Sequence, residues 1–258
     1  MKTRLDKLLL DRCLAPSRER AQALILAGKV LVNEQKIDKA GATVDVESNI
    51  RLLGEDLRYV SRGGLKLEKA LEHWRIDLTG RLCLDIGAST GGFTDCMLQH
   101  GATRVVAVDT GYGQIALRLR NDPRVALLEK TNARYLTRED LAKLTNSAVS
   151  FLAMDVSFIS ATLVLPAVVQ AALEGPQRPA RASLEVVVLV KPQFEVGREL
   201  IGKGGIVRDE VGQQSAVDKV RSCLIELGSQ GLESIESPIL GGEGNREFLL
   251  HGFLPFSL

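Results

Sequence analysis

The sequence predicts a doubly wound α/β domain of Rossmann-like type preceded by a small α+β module, and three observations carry that reading. From residue 82 onward, apolar strand-like runs alternate with helical stretches, the pattern of a parallel sheet covered on both faces. The first of these runs, Leu82–Ile86, leads into the glycine-rich turn Gly87-Ala88-Ser89-Thr90-Gly91-Gly92 and then a helical segment. Upstream of about residue 60 the periodicity differs, with two short helical patterns followed by short alternating runs. The expected division is 1–60 and 61–258, which suits 258 residues as one full domain plus a small one.

In the first module, Leu5, Leu8, Leu9 and Leu10 fall at helical spacing, and Ala15-Pro16-Ser17 interrupts them. Ser17 is a good N-cap for a second helix reaching Ala27, with Ala21, Leu24 and Ile25 on one face and Gly28 as its stop. Lys29–Asn33 and Thr43–Val46 read as strands, and Gly54–Ser61 as a linker. In the second domain, strands are expected at Leu82–Ile86, Arg104–Asp109, Val125–Leu128, Val149–Met154 and Glu185–Val190. The helices between them are expected at Phe93–His100, Gln114–Arg120, Arg138–Leu144 and Ile159–Leu173, with a longer one at Glu210–Leu227. Gly175–Pro179 reads as a surface loop. Leu232–Ser237 and Arg246–Phe253, joined by the glycine-rich turn Gly241–Asn245, would finish the sheet as an antiparallel hairpin.

Composition narrows the partners. The net charge of +1 hides an asymmetry: residues 1–75 hold 15 Lys and Arg against 11 Asp and Glu, and the remainder 18 against 21, so an anionic partner is expected at the first module. Cys13, Cys83, Cys96 and Cys223 are scattered, without a C-x-x-C pair and with only three histidines, so neither a metal site nor a disulfide framework is expected. A reducing cytoplasm fits best. The N-terminus lacks the apolar core of a signal peptide, and the apolar run around Glu185–Val190 is far short of the ~20 residues a membrane helix needs.

The glycine turn carries the first chemical signal. At the end of a first parallel strand, glycines let the backbone approach a ligand in the crevice of an open sheet. Dinucleotide sites read G-x-G-x-x-G, whereas this turn reads Gly-x-x-x-Gly-Gly with Asp85 just before it. An acidic side chain suits a cationic, amine-bearing ligand better than a diphosphate. Asp109, about 20 residues after the turn, is placed to accept hydrogen bonds from ribose hydroxyls. Together these features fit S-adenosylmethionine.

Charged residues at other strand ends form a second group: Asp155 in Met154-Asp155-Val156-Ser157-Phe158, Lys191 in Val190-Lys191-Pro192-Gln193-Phe194-Glu195, and Glu247 in Arg246-Glu247-Phe248. Such positions face the ligand crevice. A lysine in a partly dry site beside other lysines has its pKa lowered toward neutrality and can take a proton from a hydroxyl, which makes Lys191 a candidate base.

The ordered motifs also carry a resemblance. Ser17–Asn33 resembles the S4 RNA-binding module, while Asp85–Phe93, Asp155–Ser160 and Lys191–Gly197 resemble the hemolysin A (TlyA) family of ribosomal RNA 2'-O-methyltransferases, relatives of the FtsJ/RrmJ enzymes. Ser61–Leu67 and Asp109–Gln114 extend the likeness over almost the whole chain. It implies a catalytic set of Lys66, Asp155, Lys191 and Glu247, methyl transfer from S-adenosylmethionine to a ribose 2'-hydroxyl, with cytidine as the target nucleoside, and ribosomal RNA or ribosomal subunits as partner. Lys191 would accept the proton, Asp155 and Glu247 would hold the lysines, and Lys66 would help place the hydroxyl. Cofactor contacts would come from Asp85, Gly87, Ser89, Thr90, Gly91, Gly92, Phe93 and Asp109, with Asn132 reaching the adenine. Arg4, Lys7, Arg12, Arg18, Arg20 and Lys29 are the expected phosphate contacts of the first module. Arg58 and Tyr59 sit where RNA docking would report to the active site.

Three other classes compete. A pore-forming haemolysin needs long apolar or alternating amphipathic spans, which the sequence does not offer. A nicotinamide oxidoreductase conflicts with the glycine spacing, and an RNA-binding protein without catalysis conflicts with the complete four-residue set.

Overall fold

The computed structural model describes residues 2–12, 14, 15, 17–53, 58–174, 183–241 and 244–255. Cys13, residues 54–57 of the expected linker, the loop expected at Gly175–Pro179, and Gly242 and Glu243 of the glycine-rich turn lie outside them. The chain forms two compact units, Met1–Leu57 and Arg58–Leu258.

In the first unit, β1 (Lys2–Arg4) pairs antiparallel with β4 (Thr43–Asp45), and a second antiparallel sheet has the order β3 (Gln35–Ile37), β2 (Val30–Val32), β5 (Ile50–Leu52). Helices α1 (Leu5–Asp11) and α2 (Arg18–Leu26) bury Leu5, Leu8, Leu9, Ala21, Leu24 and Ile25 against Val30 and Val32. Leu10, counted above with the apolar positions of α1, is exposed instead. The Ser17 hydroxyl accepts from the Arg20 amide at 3.2 Å, and Gly28 ends the helix at φ +64°. Strands β1, β3 and β5 were not anticipated from the sequence.

The second unit is a seven-stranded sheet in the order β11 (Gln230–Glu236), β12 (Phe248–Pro255), β10 (Ser183–Val190), β9 (Phe151–Met154), β6 (Leu82–Ile86), β7 (Arg104–Val108), β8 (Val125–Leu128). From β10 to β8 every pairing is parallel, and β12 runs antiparallel to both of its neighbours. The strand order reverses between β6 and β9, which opens a crevice at their C-terminal ends. Alternate strand residues feed two cores. Leu84, Ile86, Val106, Leu152 and Val188 pack toward α7 (Leu165–Leu173) and α9 (Glu210–Glu226). Cys83, Val105, Phe151 and Val187 pack toward α3 (Gly63–Trp74) and α4 (Gly92–Gln99).

Four features differ from expectation. Helix α3 was not anticipated: it opens on Gly63-Gly64 with no side-chain cap, although Leu67, Ala70 and Leu71 carry the helical spacing of a buried face. The helix expected from Ile159 begins at Leu165, because Phe158 takes φ +64° and residues Ala161–Leu163 form a 3₁₀ turn. The helix expected from Gln114 is shortened to α5 (Leu117–Arg120). After β8 lie the 3₁₀ turn Ala133–Tyr135 and α6 (Arg138–Ala142), the latter closed by a Thr137–Asp140 capping box. Pro192 ends β10 as expected and also opens a short helix, α8 (Pro192–Glu195). Arg58–Ser61, read above as linker, belong to the second unit: Tyr59 is buried there and donates its hydroxyl to Glu68 Oε1 at 2.8 Å, and the Val60 amide donates to Asp95 Oδ2 at 2.8 Å.

Cys83, Cys96 and Cys223 are free thiols. Among the described residues no helix is long and apolar enough to cross a membrane.

A side chain at Gly64 would overlap the ring of Tyr59, one turn of chain away. Gly64→Ala is therefore expected to destabilise the second unit by about 1–3 kcal/mol, read as a lowered midpoint in thermal or urea unfolding.

Candidate functional site

The crevice between β6 and β9 holds a cleft of about 260 Å³, lined by Ser61, Arg62, Gly63, Lys66, the turn from Gly87 to Thr90, Gly92, Phe93, Asp155, Ile239, Leu240 and Gly241. Its floor is the glycine turn. Gly87 takes φ +84°, and a Cβ there would collide with the backbone carbonyl of Asp155; only glycine permits both the turn and that approach. Gly91 caps α4 at φ +95° behind the lining.

Asp85 lies fully buried beneath the turn. Its Oδ2 accepts from the Thr94 hydroxyl at 2.5 Å, while its Oδ1 has no hydrogen-bond partner among the described residues. Burial pushes the carboxyl up to about 7, against the Thr94 hydrogen bond, and the nearby charge of Asp155 adds to the rise. Asp109, at the end of β7, is fixed by two backbone amides, Ser89 to Oδ2 at 2.8 Å and Gly111 to Oδ1 at 2.6 Å. An ionised carboxylate has about four acceptor sites, so two bonds leave room for hydroxyl donors. Asn132 is exposed and does not line the cleft; its Oδ1 accepts from the Arg134 amide at 3.0 Å and caps the turn after β8.

The four residues singled out for catalysis form two ion pairs. Lys66 Nζ, from the first turns of α3, lies 2.5 Å from Glu247 Oε2, just before β12. Lys191 Nζ, just after β10, lies 2.6 Å from Asp155 Oδ1, just after β9, and donates to Ser157 Oγ at 2.7 Å. Lys66 and Asp155 line the cleft, and all four side chains are largely withdrawn from solvent.

The structure adds residues that the sequence did not reveal. Ser61, Arg62 and Gly63 join the cleft because α3 starts there, and Ile239 to Gly241 form its rim from a segment about 150 residues beyond the turn. Local patterning carries no signal for such long-range neighbours. Phe158 is 92% exposed beside the Asp155–Lys191 pair, with its ring centroid 5.5 Å from that of Phe194. Among the described residues no group of three or more His, Cys, Asp or Glu side chains is arranged to hold a metal.

In the first unit, the six expected phosphate contacts differ in their engagement. Asp6, fully buried, accepts from Arg4 (Nε 2.9 Å, Nη2 2.8 Å), Arg18 Nε (3.0 Å), Gln22 Nε2 (2.8 Å) and the Lys7 amide (2.9 Å). Hydrogen bonding from Arg4, then from Gln22 and Arg18, holds its carboxyl well below the usual range despite burial. Arg4 and Arg18 remain about half exposed, each with unused N–H groups. Arg12 is exposed but committed to its own unit, donating to the main-chain carbonyls of Ser48 at 2.8 Å and of Val46. Lys7 is exposed, and Arg20 and Lys29 are partly so.

Comparison with known proteins finds a family match in each part of the chain. Residues 59–253 match the FtsJ-like methyltransferase family and residues 3–50 the S4 domain. The 16S/23S rRNA (cytidine-2'-O)-methyltransferase TlyA of Mycobacterium tuberculosis is 44% identical over 250 residues, covering 96% of this chain and 89% of that protein. Hemolysin A of Brachyspira hyodysenteriae is 39% identical, over 96% of this chain and 98% of its own length. A solved structure from Streptococcus thermophilus that carries the hemolysin name superposes with a TM-score of 0.70 at 44% identity, covering 98% of this chain and 88% of that one.

Asp85 supplies a pH test. A carboxyl whose folded pKa is raised contributes stability fully present below its unfolded value near 4 and lost as pH rises through its folded value of about 7. Asp85→Asn carries no such charge, so the melting temperature of the ligand-free variant should gain on the wild type progressively between about pH 4 and 7. Parallel melting curves across that range would remove the buried, proton-holding Asp85.

Proposed function

We propose, because the chain belongs to the hemolysin A (TlyA) family of FtsJ-like methyltransferases with an S4 domain, that it methylates the 2'-hydroxyl of a ribose, a cytidine's, in ribosomal RNA, using S-adenosylmethionine. The observation that carries this reading is the pair of lysine–carboxylate bridges, Lys66–Glu247 and Lys191–Asp155, set at one cleft beside the glycine turn. The cofactor suits the residues present. A buried acid with an orphan oxygen, Asp85, underlies the turn where an amine-bearing ligand would lie, and Gly87, Ser89, Thr90, Gly92 and Phe93 leave room for it. Gly91 shapes the turn from behind, and Asp109 would hold the ribose hydroxyls. When bound, S-adenosylmethionine supplies an electrophilic methyl group on a sulfonium.

The chain's own contribution is positioning and proton transfer. Lys66, fixed by Glu247, donates a hydrogen bond that orients the incoming hydroxyl. Lys191 takes the hydroxyl proton as the oxygen attacks, and Asp155 holds it on station. Phe158 offers an exposed ring face on which a nucleobase stacks beside the reacting ribose. The first unit supplies affinity. Arg4 and Arg18, oriented by Asp6, together with Lys7, Arg20 and Lys29, meet phosphates, and Arg12 shapes the surface that they share. We assign docking to the first unit, residues 1–57, and chemistry to the second, 58–258, acting on ribosomal RNA or subunits in the cytoplasm. The buried engagement of Tyr59 against Glu68 makes Arg58 and Tyr59 the place where docking would reach the site.

Methyl incorporation from labelled S-adenosylmethionine into ribosomal RNA and intact subunits tests this reading. Wild type should label a 2'-hydroxyl, and Lys191→Ala should lose at least about a hundredfold in rate while retaining cofactor affinity by calorimetry. Binding of cofactor without any labelling of ribosomal RNA would sink the substrate assignment. Removing the exposed ring by Phe158→Ala should weaken productive RNA binding by about 1–3 kcal/mol, seen as a raised KM for RNA at unchanged cofactor affinity.

A further inference from the structure

A lysine that takes a proton in each turnover must release it again before the next. The ammonium of Lys191 is buried, and its polar neighbours among the described residues are two, Asp155 Oδ1 at 2.6 Å and Ser157 Oγ at 2.7 Å. They differ in what they can do with a proton. Asp155 would have to become a neutral acid to carry it, and the neutral amine left behind would lose the charged acceptor that holds it in place. Ser157 is exposed, and a hydroxyl both accepts and donates, so it passes a proton on without changing its own charge.

The backbone holds Ser157 in that position. On one side, the Asp155 amide donates to the Ile86 carbonyl at 2.8 Å, tying the loop to β6. On the other, the buried carboxylate of Glu195 accepts from Ser160 Oγ at 2.5 Å and from the Ala161 amide at 2.6 Å. Lys219 Nζ lies 3.3 Å from that same carboxylate. Residues 155–161 are thus an arch pinned at both ends. Glu195 follows Lys191 by four residues, so the arch is fixed to the same segment that carries the base.

From this geometry we propose that Ser157 is the proton outlet of the active site. The inference rests on Lys191 being the base of the methyl transfer described above. In the chemical step, which Lys191 enters as the neutral amine, the bond from sulfur to the methyl carbon breaks, the bond from the ribose oxygen to that carbon forms, and the hydroxyl proton moves to Lys191 Nζ to give the ammonium. Lys191 then gives one N–H proton to Ser157 Oγ while the Ser157 O–H proton passes to water. Neither residue is changed over the cycle, and one proton reaches solvent per methyl group transferred.

The test reads the lysine directly. In full-length protein with ¹⁵N-labelled lysine, the exchange of Lys191 Nζ protons with water is measured by NMR for wild type, Ser157→Ala and Ser157→Thr, with Lys191→Arg to assign the resonance. Ser157→Ala should slow the exchange several-fold and Ser157→Thr should restore it, with melting temperature and cofactor affinity unchanged. At saturating RNA and cofactor, kcat should fall about tenfold in Ser157→Ala, with a larger solvent deuterium effect, and recover in Ser157→Thr. Wild-type exchange rates in Ser157→Ala would overturn the outlet. Slowed exchange in a protein that methylates no ribosomal RNA would support the outlet and overturn the substrate assignment instead, so the two failures are distinct.

Discussion

Strands β6 and β9 bring the glycine turn and Asp155 to one point because the backbone of Gly87 lies directly against the carbonyl of Asp155. Any side chain at position 87 would push the two strand ends apart, and with them the cofactor floor and the lysine–carboxylate pair. The order of the sheet follows the same requirement. Both strands end where the winding reverses, so their loops diverge and leave a cleft instead of packing over each other. Strand β12 solves a related problem. Because it runs against its neighbours, its beginning lies at the edge where they end, and Glu247 arrives at the site by preceding a strand.

The site is costly to fold. Lys66, Glu247, Lys191 and Asp85 are all withdrawn from water, and burying a charge is unfavourable unless it is paired and hydrogen-bonded. Three of these are matched within the protein. Asp85 is matched only on one oxygen, which leaves an acceptor waiting for a donor from outside. The opposing stabilisation comes from two apolar cores on either face of the sheet, built largely from alternating strand residues. A second polar group, in which Arg81, just before β6, and His251 on β12 both meet the buried Glu185 of β10, lies well before the site end of β10.

Much of this was legible in the chain itself, and the exceptions share a cause. The five parallel strands, α4, α9 and the closing hairpin announce themselves through apolar runs, a glycine turn and helical spacing. All four residues of the two ion pairs sit at strand ends or in motifs, so they could be named singly. Their pairing could not: Lys66 and Glu247 are 181 residues apart, and no local pattern links them. Helix α3 was missed because it starts on two glycines, and α7 begins late because Glu195 captures Ser160 and Ala161 from a distance. The role of Ser157 depends on one hydrogen bond and has no sequence signature beyond its neighbour Asp155.

The Asp6 cluster in the first unit has its own consequence. A single carboxylate orients two arginines, so the two cannot vary independently of it. Replacing either arginine leaves the other bonded to Asp6, whereas replacing Asp6 removes the acceptor of both at once. In a comprehensive mutational landscape, Asp6 should therefore show strong epistasis with both Arg4 and Arg18, and the tolerance of this surface to drift is set by a residue that solvent never touches.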